Sequence, residues 1–216
     1  MDTKPAIVIV HGLFMQPSIM IKMERFFKRR EYHVYNFDYD SRNIDLAEIS
    51  VQISEIIDNH DEVHFIGHSL GGLIIRQVFE ILKPTHKGVV VTIGTPHQGS
   101  AVAEYFYNSM FRWVLGNAPK HGLLEAMPYA WSHSQSLYSI AGTKNVGPLA
   151  LLPPLYKKEG DGTVLLKETF LDGAKAHIHI DASHTVMVYS SRIFEFINKI
   201  IKDKNSLNPE IEICNI

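Results

Sequence analysis

Residues 63–82 read VHFIGHSLGGLIIRQVFEIL, and the segment changes character halfway along. Val63, Phe65 and Ile66 are β-branched or aromatic residues suited to an extended strand. Beyond Ser69 the apolar positions take another spacing, and Leu70, Leu73, Ile74, Val78, Ile81 and Leu82 fall on one stripe of a helix. The sequence therefore predicts a strand ending near Ser69 and a helix starting there, with the chain reversing between them. So short a reversal presses the strand end against the helix start, where Cβ atoms would clash. Gly67, Gly71 and Gly72 omit those atoms.

Gly67-His68-Ser69-Leu70-Gly71 fits G-x-S-x-G, a strained strand-to-helix turn that holds a serine Oγ out above a sheet. The helix start aims unpaired N–H groups and a positive dipole end at the space beside that oxygen, where an oxyanion would form. The ordinary alternative is a serine capping a helix N-terminus. The strand before and the helix after favour the strained turn, because that context is what gives the short pattern its meaning.

The rest of the chain alternates in the same way. Ala6–Val10 is a near-continuous apolar run, as in a parallel strand buried on both faces. Further strands are expected at 33–39, 88–94, 137–142 and 176–181. Helices are expected around Met20–Phe27, along Leu46–Ile57 and along Ile193–Ile201. This order implies an α/β fold with a mostly parallel sheet, right-handed crossovers and helices on both faces. With 216 residues, 45% of them hydrophobic, one domain spanning 1–216 is expected.

Residues 100–136 are less regular and rich in aromatics, and two readings stay open: a small lid lining an acyl pocket, or a crossover packed on the sheet. The apolar loop LALLPPLY, 149–156, could contact an acyl chain through Leu152 or allow transient contact with a lipid surface. A proline-stiffened loop packed on the domain is the plainer alternative. The tail 205–216 has no periodicity and reads as loose or as an edge strand.

Composition excludes several classes. A formal charge of −2 provides no basic field, so nucleic acid is not an expected partner. KRREYH, 28–33, reads as the solvated basic end of a helix. The single cysteine, Cys214, leaves no internal disulfide and no multi-cysteine metal site, which fits a reducing compartment. The start MDTKPAIVIVHG lacks the features of an export signal, and no segment approaches the roughly 20 apolar residues of a membrane span. A soluble, cytoplasmic protein without metal or cofactor is the expectation.

A serine hydroxyl is a weak nucleophile and needs a base held in the right tautomer by a third group. In open α/β sheets such partners stand in loops after strand ends. Of the twelve histidines, His184 in DASHT follows the strand at 176–181, while His97 in GTPHQGS follows the strand at 88–94. His184 is the expected base; His97 is the rival, or a residue shaping the pocket. For the acid, Asp161 in EGDGTV lies in a loop before the strand that precedes His184, and fits better than Asp181, which is too close in sequence to His184. Leu70 and Leu13 N–H, the latter after the first strand in VHGLF, are the expected oxyanion donors. Phe14, His68, His97 and Leu152 are candidates for substrate contact.

VHGLF, GHSLGG, GTPHQGS, DGTV and SHT, in that order, resemble the α/β-hydrolase superfamily, and within it the lipase-like carboxylesterases. The resemblance spans about Ala6–Lys202. It implies ester hydrolysis with Ser69 as nucleophile, His184 as base, Asp161 as its orienter and Leu13 and Leu70 as donors. The chain begins at what would be the third strand of that family, so reduced N-terminal strands and no large cap are expected. A small-molecule or lipid ester is the implied substrate; a thioesterase, amidase or acyltransferase using the same residues, or a non-catalytic binding module, are the alternatives.

Overall fold

The computed structural model describes residues 4–148, 152, 158–203 and 213–214. Its strands are β1 (Ala6–Val10), β2 (His33–Phe37), β3 (Val63–His68), β4 (Val89–Ile93), β5 (Ser136–Gly142), β6 (Ala176–Ile180) and β7 (Ile213–Cys214). They form one sheet in the order β2-β1-β3-β4-β5-β6-β7, and every pairing is parallel. β1, β3 and β4 are buried at every residue, as their apolar runs demand.

The period of two in the strands divides the core into two layers. Val8, Val10 and Phe65 pack under α2 (Leu46–Asn59) and α3 (Leu70–Leu82), against Ile49, Ile53, Leu73 and Phe79. Ile7, Ile9 and Ile66 face the other way, under α1 (Ile21–Lys28) and α5 (Ser191–Lys202), against Met23, Phe27, Phe194 and Ile197. Each such large apolar side chain, fully buried, contributes about 1.5–3 kcal/mol before conformational entropy is counted. α2 starts where Asp45 accepts a hydrogen bond from the Glu48 N–H at 3.0 Å.

β2 ends two residues earlier than its sequence pattern predicts. Tyr39 turns inward, stacks on His11 at 4.5 Å and donates from its hydroxyl to the His11 carbonyl at 2.8 Å. These residues brace the loop after β1 instead of extending the sheet. β4 stops before Gly94, whose φ of +57° leaves extended geometry.

Residues 100–136 are a β4–β5 crossover, and they also carry an exposed apolar side. They contain α4 (Ala101–Tyr107), capped by Ser100, and two 3-10 turns, Arg112–Leu115 and Ala118–His121. Ala103, Ala118, Leu123 and Trp131 enter the core. Met110 and Trp113, by contrast, are 83% and 67% exposed. Apart from Leu152, the loop at 149–156 lies outside the described residues, as does the tail apart from Ile213 and Cys214, which pair with β6 as an edge strand. Among the described residues no helix is long and apolar enough to cross a membrane.

Candidate active site

The parallel register brings the C-terminal ends of the central strands to one rim, with Val10 beside Gly67 and His68 beside Ile93. Ser69 leaves β3 at this rim with φ 54° and ψ −122°, a conformation that costs a non-glycine residue about 1–3 kcal/mol. Its N–H donates to the Ile93 carbonyl at 2.9 Å, tying the turn to β4. Ser69 occupies the N-cap position of α3, but its side chain makes no capping hydrogen bond. The hydroxyl is therefore not engaged as the ordinary helix cap.

The glycines around Ser69 are there for space. A Cβ on Gly71 would lie 2.2 Å from the Val10 carbonyl oxygen, so the helix start is pressed directly on the end of β1. A Cβ on Gly12 would meet the Ser69 Cβ at 3.0 Å, which places the Gly12–Leu13 backbone beside the serine. Phe14 has φ 60° and donates its N–H to Ser41 Oγ at 3.1 Å. The Leu13 N–H has no hydrogen-bond partner among the described residues. Leu70 is the first residue of α3, where N–H groups lack a partner within the helix.

His184 and Asp161 meet on the same rim. The His184 Nδ1–H donates to Asp161 Oδ2 at 2.6 Å, and Asp161 Oδ1 accepts from the N–H groups of Thr163 and Val164 at 2.9 and 2.8 Å. The His184 N–H also donates to the Asp161 carbonyl at 2.8 Å. Asp161 is buried. Its carboxylate is thus oriented by main-chain donors and aimed at one ring nitrogen, which leaves Nε2 as the basic one. Gly94 is where this pair abuts β4: a Cβ there would lie 2.9 Å from both Asp161 Oδ2 and His184 Nδ1. Among the described residues, no hydrogen bond of 3.5 Å or less joins Ser69 Oγ to His184.

The other candidates are placed differently. His97 is 1% exposed, accepts at Nδ1 from Arg76 Nη1 at 3.4 Å and donates from Nε2 to Thr92 Oγ1 at 3.0 Å. Both ring nitrogens are engaged in a buried network, whereas those of His184 are not both taken by side chains, and His97 lines a small cavity with Arg76 and Tyr129. Burial first, then the nearby Arg76 charge, holds its pKa well below the usual histidine value. His68 is also fully buried. Its ring lies 4.5 Å from that of His184, and its Nε2–H donates to the His184 carbonyl at 3.3 Å. These contacts hold its ring against His184. Burial, and next the neighbouring His184, push its pKa well down. Phe14 is 58% exposed and lines a cleft with residues 38–42. Leu152 packs against the Val102 and Leu165 cluster. Asp181 is exposed, and among the described residues Asp161 is the carboxylate that reaches His184.

Glu168 was not singled out from sequence. It is buried and joins two segments of the rim: Oε1 accepts from Ala101 N–H at the start of α4 and Oε2 from Leu165 N–H behind the acid loop, both at 2.9 Å. Burial raises its pKa, and these two donors oppose the rise. Its only sequence signal is a carboxylate in a 3-10 turn, which carries no hint of the partner at 101. The recurring glycine at or just past the ends of β1, β3, β4 and β5 (Gly12, Gly67, Gly94, Gly142) is a signal that does mark the rim in advance. Among the described residues no group of three or more His, Cys, Asp or Glu is arranged to hold a metal ion.

Comparison with solved structures finds the same fold. The chain is similar to the mature form of the lipase BlEst2 from Bacillus licheniformis, with TM-score 0.68, 19% identity and 93% of each chain covered. It is similar to RedJ, solved with a polyethylene glycol molecule in its active site, with TM-score 0.60, 12% identity and coverage of 93% of this chain and 90% of that one. It is also similar to the product of gene lin2722 of Listeria innocua, with TM-score 0.56, 15% identity and 98% of each chain covered. At such identities the likeness concerns the fold, which is that of the α/β-hydrolases. No curated protein matches the chain. The family model described as palmitoyl protein thioesterase matches residues 6–148. That match includes Leu13 and Ser69 and ends before Asp161 and His184, which the tertiary structure brings to the same rim. Covering well over half of the sequence, it shows that this chain belongs to the palmitoyl protein thioesterase family of hydrolases.

Proposed function

We propose that this chain is a serine hydrolase that cleaves acyl esters through an acyl-enzyme. The observation that carries the proposal is Ser69, held in left-handed backbone geometry with no capping bond, on the rim where His184 is hydrogen-bonded to a buried Asp161. His184 Nε2 takes the Ser69 proton as Oγ attacks the carbonyl carbon; the carbonyl oxygen becomes an oxyanion held by the Leu13 and Leu70 N–H groups. The carbon–oxygen bond then breaks, His184 returns the proton to the leaving alcohol, and water repeats the sequence to release the acid. Asp161 holds the imidazole in the tautomer this requires. The Ser69–His184 hydrogen bond forms as substrate binds, since catalytic hydrogen bonds in unliganded sites are commonly longer than in the reacting complex.

Membership of the palmitoyl protein thioesterase family favours a second substrate class, acyl thioesters, with the same residues in the same roles. One domain carries all of these groups. Labelling by a fluorophosphonate probe tests the shared chemistry: the wild-type protein is expected to label and Ser69→Ala is not. Equal labelling of both would end the proposal. Comparing kcat/KM for an oxygen ester and a thioester of the same acyl chain decides between the classes.

A further inference from the structure

Between Gly142 and Ala176 the described residues include the 3-10 turn Leu166–Thr169. On β6, Ala176, Ile178 and Ile180 join the core layer shared with α5, so His177 and His179 face the opposite layer and are partly exposed. Over that face lies a cavity of about 750 Å³, within the size range of roughly 300–1,000 Å³ usual for small-molecule sites. Ser69, Asp161 and His184 are not among its walls.

The walls have a definite chemistry. Leu165, Leu166, Phe170 and Ala174 make them mainly apolar, and Phe170 stacks on His177 at 4.6 Å while staying 49% exposed. Lys158, Lys167 and Lys175 also line the cavity, against one carboxylate, Glu159. Among the described residues none of these lysines is in an ion pair. This local surplus of positive charge runs against the net −2 of the whole chain. Apolar walls favour an apolar body, and separate ammonium groups on flexible stems attract an anionic head without the planar fork that arginine offers a phosphate.

We propose that this cavity is a second binding site, for a long-chain carboxylate, with the chain along Leu165, Phe170 and Ala174 and the carboxylate at Lys167 and Lys175. The proposal rests on the cavity itself and not on Ser69 chemistry. The cavity backs onto the acid loop: Leu165 and Leu166 follow directly on Asp161–Val164, and Leu166 N–H donates to the Glu159 carbonyl at 2.9 Å.

The test is isothermal titration of the full Ser69→Ala protein with laurate, and with dodecanol, dodecyltrimethylammonium and dodecyl phosphate as head-group controls. Using Ser69→Ala separates failure here from failure of the hydrolase proposal, because turnover plays no part. Laurate is expected to bind at least tenfold more tightly than the alcohol or the cation. Reversing the exposed lysines (Lys167→Glu with Lys175→Glu) is expected to weaken laurate at least tenfold, and Ala174→Phe, which fills the cavity, should do the same. Each variant is checked for an unchanged melting transition; should the double reversal fold poorly, Lys167→Gln with Lys175→Gln and Ala174→Phe decide. Laurate affinity changed less than twofold in the folded variants would overturn the site. Equal binding of the cationic amphiphile, or dodecyl phosphate binding tenfold more tightly than laurate, would overturn the ligand class.

Discussion

Two loops on the same rim each carry a histidine, the one after β4 with His97 and the one after β6 with His184. By sequence they look alike, since each follows a strand end within a few residues. In the fold, His184 meets a carboxylate at Nδ1, while His97 meets Arg76 and Thr92 with its two nitrogens. An imidazole beside a guanidinium and without a carboxylate is held neutral, and its lone pair is already accepting a hydrogen bond. An imidazole oriented by a carboxylate keeps its second lone pair for a proton. Position after a strand is therefore necessary for the base and does not select it; the partner does.

The largest expected effect tests the proposed nucleophile and base directly. Ser69→Ala and His184→Ala should each lower the rate of ester hydrolysis by on the order of 10⁴ to 10⁶, measured as initial rates on a p-nitrophenyl ester. His97→Asn should leave kcat within about tenfold while costing about 1–3 kcal/mol in urea unfolding, because it orphans buried partners. If His97→Asn were as inactive as His184→Ala, the contrast between the loops would be broken.

Asp161→Asn should lower kcat by about 10⁴, with little change in KM, because it favours the wrong imidazole tautomer. Next comes Gly94→Ala. It adds a Cβ where the Asp161–His184 pair leaves 2.9 Å and where φ is +57°, so both stability and kcat are expected to fall, the latter by roughly 10². Wild-type kcat in that variant would show that the pair has room to move.

The smallest expected effect is on stability against pH. Burial holds the imidazoles of His11, His68 and His97 below the ordinary value of 6.5, with His184 adding to the effect at His68 and Arg76 at His97. Below about pH 6.5 the unfolded chain binds protons that the folded chain does not, so stability is full above that pH and falls as pH drops through it. The melting temperature should decline between pH 7.5 and 5.5, and His97→Asn should decline less steeply. An equal slope in both proteins would remove His97 from the account.

Much of this was legible in the sequence for reasons of short range. Glycines 67, 71 and 72 announced a close approach, and the change of apolar period at Ser69 announced the turn, because both are properties of neighbouring residues. Strand order along the chain and the two-faced burial of β1, β3 and β4 followed from apolar runs alone. His68, Glu168 and Arg76 were not legible. Their partners stand at positions 184, 101, and 97 and 129, and nothing local in the chain signals a bond across such distances.

What the sequence by itself determined is thus the parallel α/β scaffold and the strained serine at its rim, since backbone geometry and side-chain period are set within a few residues. Which histidine faces the carboxylate, and which apolar and cationic side chains gather beside β6, only the tertiary structure decided. Those outcomes depend on groups brought together from distant parts of the chain by the burial of the core.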